Sequence, residues 1–210
     1  MRIDQSSLSK RVLTEYKQRY PDKKIHVLRS YGTRDKEDHL FRTHLRRLCA
    51  SLDLDSGAFS LNNRQKETGP SINFRGYLDY VKTYRSYYDR IYNFDCDFGD
   101  DGFDTNIYYQ KRMEEAGLDP VPVVHSIFNN DEIDYYIKSG YKTVALGSPQ
   151  ITGFGTLSYV MSKFKGTGIK IHLFGNASFE FLTSFPIYSC DSCTWAITGK
   201  FGEIRHNDCH

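Results

Sequence analysis

No stretch of about 18 consecutive apolar residues occurs in this chain, which leaves no room for an ordinary membrane-spanning helix. The opening residues, MRIDQSSLSKR, lack the apolar segment of a secretory signal, so no export is expected. Cysteine is scarce and odd in number. Cys49, Cys96, Cys190, Cys193 and Cys209 are scattered, which argues against a disulfide framework and for a reducing cytoplasm. An excess of one charge is missing too: 28 basic residues stand against 26 acidic ones. No global field announces a polyanionic partner, although a local basic patch remains open. Low-complexity segments, obvious linkers and internal sequence repeats are also absent. The 210 residues suffice for one sizeable core, so a single domain over 1–210 is expected.

Aromatic residues are plentiful, with 16 tyrosines and 14 phenylalanines, most of them expected in the core or on half-buried helix faces. The chain repeats one pattern: an apolar strand, a turn, an amphipathic helix, then a glycine or proline. Strands are expected near 25–30, 50–55, 91–96, 121–126, 143–147, 170–175 and 187–192. Between them, Leu40, Phe41, His44, Leu45 and Leu48 form one helical stripe, and Tyr77, Val81, Tyr84 and Tyr88 another. A helix opening at Asp104 stops at Gly117, and Leu157, Val160, Met161 and Phe164 follow the same template. Seven βα units in a row predict a parallel sheet, because such strands must be joined by crossovers. No G-x-G-x-x-G opens the first helix, which disfavours a dinucleotide-binding sheet. The expectation is an α/β fold of the (β/α)8 TIM type. Only TWAITGKFGEIRHNDCH remains after the seventh strand, enough for a short strand but hardly a helix, so the last unit is expected to be shortened. A helix around Leu8, Val12 and Tyr16 is available to cover the gap.

Barrel enzymes place their chemistry at the C-terminal ends of the strands. Here those ends carry Asp55, Asp95 and Asp97, His125, Gly147 and Ser148, Phe174 and Gly175, and Asp191. A polar residue in a buried parallel strand is costly unless paired, so acids at three strand ends on one rim ask for a functional reason. Each has a structural alternative. Asp55 and Asp95 suit helix or turn caps, Asp97 suits a solvated loop, and His125 or Asp191 alone suits a hydrogen-bonded core position. In LDLDSG, Leu52 and Leu54 point to one face and Asp53 and Asp55 to the other, before a sharp turn at Gly57. Cys190 and Cys193 form a C-x-x-C, followed by His206, Cys209 and His210. Successive strand side chains diverge and the second group is terminal, so no metal or other cofactor is expected, with zinc as the lesser alternative.

Five segments in order resemble tRNA-guanine transglycosylases and their DNA-acting relatives in phages and bacteria: DSGAFS (55–60), FDCDF (94–98), VALGSP (144–149), HLFGNAS (172–178) and YSCDSCTW (188–195). DSCTW looks more like the branch that acts on DNA. The resemblance implies exchange of guanine in a nucleic acid, DNA before tRNA, for a 7-deazaguanine base of the queuosine type. It implies a cytoplasmic setting, including the host cytoplasm for a phage-encoded enzyme, and it admits an oligomer or partner subunit. Asp191 would be the nucleophile and Asp55 the acid and base. Asp95, or Asp97 in its place, would recognise the base edge, and His125 would read the base carbonyl. Ser56, Gly57, Phe59, Gly147, Ser148, Phe174 and Gly175 would shape the base site, with Phe59 stacking on the purine. Two features depart from the family: the tRNA enzymes' C-x-C-x-x-C zinc run is absent, and their VQGG is replaced by VVHS. Phosphate-binding cations are expected beside the rim, at Arg64, Lys66, Lys163 and Lys165. Two rivals use the same residues: a barrel glycosidase or nucleoside hydrolase, and a non-catalytic nucleic-acid-binding relative.

Overall fold

The structure is a computed structural model that describes residues 1–58, 72–99 and 102–193. Its strands are β1 (Arg2–Ser6), β2 (Ile25–Ser30), β3 (Cys49–Asp55), β4 (Arg90–Ile91), β5 (Val123–Val124), β6 (Thr143–Leu146), β7 (Lys170–Leu173) and β8 (Ser189–Ser192). The helices are α1 (Lys10–Arg19), α2 (Asp38–Arg42), α3 (Phe74–Tyr84), α4 (Gly102–Glu115), α5 (Asn130–Lys138), α6 (Phe154–Phe164) and α7 (Phe179–Ser184). All strand pairings are parallel, in the order β4-β3-β2-β1-β8-β7-β6-β5.

The sheet curls until its edge strands meet at one bridge, Tyr92 with Val121. Val121 N–H donates to the Ile91 carbonyl at 2.8 Å, and Asn93 N–H donates to the Val121 carbonyl at 3.0 Å. Pro120 and Pro122 flank that residue, and the Pro122 carbonyl faces the other way, accepting the Ala145 N–H of β6 at 2.8 Å. The fold is therefore a TIM-like curled sheet with alternating strands and helices, not the fully closed barrel expected. The seven expected strands are β2 to β8, and the eighth lies at the N-terminus, where only a helix was expected. In β1 the inward residues are Arg2, Asp4 and Ser6, whereas Ile3 is 37% exposed. That reversal of polarity hides the strand from a hydrophobic-pattern reading. Residues 194–210, expected to supply the last unit, lie outside the described part.

Two apolar layers seal the helices onto the outside of the sheet. One gathers Val27, Phe41, Leu52, Leu54, Tyr77, Val81 and Ile91, and the other Val124, Ile133, Val144, Leu157, Val160, Ile171 and Cys190. The helix expected from Leu40 to Leu48 breaks after Arg42. Thr43 leaves helical geometry (φ −107°, ψ −92°) and bonds its hydroxyl back to the His39 carbonyl. His44 is consequently exposed, away from the core stripe. Arg42 is held instead by tyrosines, stacked 4.0 Å over Tyr84 and bonded to Tyr80.

The inside of the sheet is polar at its floor. Arg2 pairs with Asp4 and Asp53, and Arg90 bonds Asp53 at 2.7 Å and Asp4 at 3.2 Å. Two cations and two carboxylates thus neutralise each other, which is how four buried charges are tolerated there. Burial still outweighs both guanidiniums at Asp53, whose carboxyl is pushed up to about 6. Above this floor, Leu28, Tyr92, Val123 and Ala145 form an apolar layer on which Phe174 packs.

Candidate active site

Above the apolar layer, the strand ends open into a cavity of about 610 Å³, within the range of small-molecule sites. Asp55, Asp95, His125, Gly147, Ser148, Phe174, Gly175 and Asp191 all line it, so most of the expected rim converges.

Asp55 ends β3 on the inward side, as the alternation in LDLD requires. Gly57 N–H donates to its Oδ2 at 3.0 Å, closing a tight turn. Gly57 has φ +82°, and a Cβ there would stand 2.6 Å from Gly32 backbone atoms and from Ser30 Oγ. Only glycine meets both demands. Loss of water, then the negative charge of Asp95, pushes the Asp55 carboxyl up to about 8.

Asp95 is already engaged by the protein. Ser56 donates to its Oδ1 at 2.8 Å, and His125 Nε2 lies 2.9 Å from its Oδ2. The carboxylate can only accept, so Nε2 carries a proton, and in the neutral ring Nδ1 is a bare acceptor. Nδ1 is buried without a partner among the described residues. In that tautomer Nδ1 offers an acceptor to an N–H of a bound base, whereas the expected reading of a base carbonyl asks for a second proton on the ring. Phe98 lies over the imidazole with centroids 4.3 Å apart. Glu132, in α5, accepts the backbone N–H groups of His125 and Ser126 at 3.1 Å and fixes the strand end. Gly147 is needed beside it, since a Cβ would stand 2.9 Å from Val123 Cγ1 and 3.2 Å from His125 Cε1.

Asp191 lies in β8 next to β1, paired in register with Asp4. Ser6 donates its hydroxyl to Oδ2 at 2.6 Å, and Gly175 N–H donates to Oδ1 at 2.7 Å. Burial raises this carboxyl, and those two hydrogen bonds oppose the rise. Ser6 was invisible as a site residue because β1 itself was not recognised. Ser56 and Gly57 act behind the cavity wall, as a prop for Asp95 and a turn.

Asp97 is not brought into the site. Its side chain accepts the Gly99 N–H at 3.0 Å, and its backbone is clasped by Asn106, so it organises the loop before α4. Phe59, Arg64 and Lys66 lie outside the described residues. Lys163 and Lys165 close α6 on the approach to β7, at the opposite end of the sheet from the carboxylates, and do not flank the rim. Cys190 is buried in the outer apolar layer while Cys193 lines the cavity, so the C-x-x-C thiols diverge. Among the described residues no group of three or more histidine, cysteine, aspartate or glutamate side chains is placed to hold a metal ion. His206, Cys209 and His210 lie outside that set. Among the described residues no helix is long and apolar enough to cross a membrane.

No protein-family model matches the chain, and no curated protein matches it. Among solved structures, L-talarate dehydratase from Polaromonas sp. JS666, crystallised with Mg and L-glucarate, is similar at a TM-score of 0.53 and 10% sequence identity. The match covers 91% of this chain and 52% of that one, so the chain spans about half the length of the dehydratase. At that identity the likeness concerns the fold alone.

Proposed function

We propose that the protein exchanges guanine in a nucleic acid, with DNA as the first candidate, for a 7-deazaguanine base through a covalent aspartyl intermediate. One observation carries the reading: Asp55 and Asp191 open into the same cavity, where burial and Asp95 push the Asp55 carboxyl upward, toward the form that can give a proton. Breaking an N-glycosidic bond with retention needs a nucleophile at the anomeric carbon and a proton donor for the departing base. Asp191 supplies the first and Asp55 the second. The lone pair of Asp191 forms the C1′–O bond while the C1′–N bond breaks. The electron pair of that bond stays on the base, which takes the Asp55 proton. The incoming base reverses both steps and returns its proton to Asp55. His125 Nδ1 accepts from an N–H of the base, and Asp95 fixes the imidazole. Phe174 forms an apolar wall, and Gly147 keeps the opposite wall open to the base. A base in a duplex must leave the stack to reach this depth. The resemblance of residues 191–195 to the DNA-acting branch favours DNA over tRNA.

The test is incubation of the protein with duplex DNA or tRNA, labelled guanine and a series of 7-deazaguanine bases, followed by nucleoside mass spectrometry. Incorporation into DNA is expected. Incorporation into tRNA alone would move the activity to that polymer. Release of guanine without replacement would make the protein a hydrolase, and no reaction on either polymer would overturn the proposal.

A further inference from the structure

One buried titratable group is left unused by that chemistry. His172 projects inward from β7, fully buried, beneath the mouth of the cavity. Its ring is wedged against Tyr92 at 5.1 Å and Phe174 at 4.7 Å between centroids. Nδ1 lies 2.9 Å from Ser189 Oγ. Nε2 has no hydrogen-bond partner among the described residues and stands 3.8 Å from Asp191 Oδ1.

Counting protons fixes the tautomer. Ser189 Oγ accepts from Arg90 Nη1 at 3.0 Å, and a guanidinium only donates. The hydroxyl has one proton to give, and His172 Nδ1 is its other neighbour. Nδ1 is therefore the acceptor, and the neutral ring carries its proton on Nε2, facing Asp191. The opposite tautomer would leave the serine proton without an acceptor and set a lone pair against a carboxylate. Burial, then the charges of Arg90 and Arg2, keep the ring neutral.

We infer that His172 is a positioning residue for Asp191: its Nε2–H faces Oδ1 across 3.8 Å and engages it when the carboxylate turns, and Oδ2 is the atom that attacks. The assignment rests on the reading of Asp191 as nucleophile. Oδ1 then faces two N–H donors, from Gly175 and His172, which draw its lone pairs away from the sugar. Oδ2 accepts the Ser6 hydroxyl, which borders the cavity and can turn aside. A small rotation of the carboxylate toward substrate closes the 3.8 Å gap to His172. When the incoming base expels the carboxylate, the same N–H receives the returning charge.

Nitrogen-15 NMR of histidine-labelled protein without substrate tests the tautomer directly. An Nε2–H signal for His172 is expected, and an Nδ1–H or imidazolium signal overturns the inference. Ser189→Ala removes the donor to Nδ1 while keeping the ring, and it should redistribute the tautomers; an unchanged spectrum contradicts the proton count. His172→Phe keeps an aromatic ring and removes the N–H. Its kcat for base exchange should fall by about 10–100-fold, the equivalent of one charge-assisted hydrogen bond, with KM for the base unchanged. A wild-type kcat in that variant overturns the role. A wild-type protein that exchanges no base removes the nucleophile reading and this role with it. An Nδ1–H signal in a protein that does exchange base overturns the inference alone.

Discussion

Asp55→Asn should make the protein more stable, and the gain should grow with pH. The unfolded carboxyl titrates near 3.8, and the folded one is pushed up to about 8 by burial and by Asp95. Between these values the folded state holds a proton that the unfolded state has released. Stability therefore falls as pH rises through that window, and below about pH 4 both states are protonated and nothing is lost. Roughly 4 pKa units at about 1.4 kcal/mol each set a ceiling of about 6 kcal/mol. Water in the open mouth screens the charge, and Gly57 N–H receives it, so a difference of about 2–3 kcal/mol between pH 5 and pH 8 is expected. The asparagine is neutral throughout and removes that slope. Asp4, Asp53, Glu132 and Asp191 are also raised, so the wild type should lose stability with pH for several reasons. Subtracting variant from wild type isolates Asp55. The assay is urea unfolding of both proteins at half-unit steps from pH 4.5 to 8.5. A stability difference that stays constant across that range would refute the argument.

Three further outcomes follow from the same geometry. Arg90→Met strips a partner from Asp53, Asp4 and Ser189 at the floor and should cost about 3–5 kcal/mol, read as a lower urea midpoint; an unchanged midpoint contradicts the charge-balanced floor. Gly57→Ala should cost at least about 1–3 kcal/mol from its positive φ alone, with the contacts to Gly32 adding to it; wild-type stability would mean that the turn adapts. Asp97→Asn should leave base binding and exchange unchanged, since that carboxylate organises the α4 loop outside the cavity; a large loss of activity there would restore Asp97 to base recognition.

The mouth of the sheet was legible because strand-final positions in a parallel α/β fold share one end. Asp55, Asp95, His125 and Asp191 could be placed together from spacing alone. The glycine after Asp55 signalled its turn equally well, since few other residues tolerate that conformation. What escaped did so for identifiable reasons. β1 turns its charged side inward to Arg90 and Asp53, partners far away in the chain, so no local pattern marks it as a strand. The choice between Asp95 and Asp97 depends on where the chain leaves the sheet after Tyr92 and on Asn106 of α4, which clasps the Asp97 backbone, and neither is marked in the local sequence. The contact of His125 Nε2 with Asp95 was not legible either, because it joins two strand ends 30 residues apart. Ser189 and His172 read as ordinary strand residues, because their meaning lies in the Arg90 and Asp191 contacts across the sheet. Lys163 and Lys165 were drawn to the rim by charge alone, although the end of a crossover helix lies at the opposite end of the sheet.

The central claim is that Asp191 forms the covalent bond to the sugar. Asp191→Asn keeps the size of the side chain and an oxygen able to accept from Ser6 or Gly175, so the fold should survive, but an amide cannot form the sugar ester efficiently. The direct measurement incubates wild type and variant with labelled DNA and resolves protein–DNA adducts on denaturing gels, alongside labelled-guanine exchange. The account predicts an adduct with the wild type, none with the variant, and exchange lower by orders of magnitude. An Asp191→Asn protein that still forms the adduct, or that exchanges base at the wild-type rate, would contradict it.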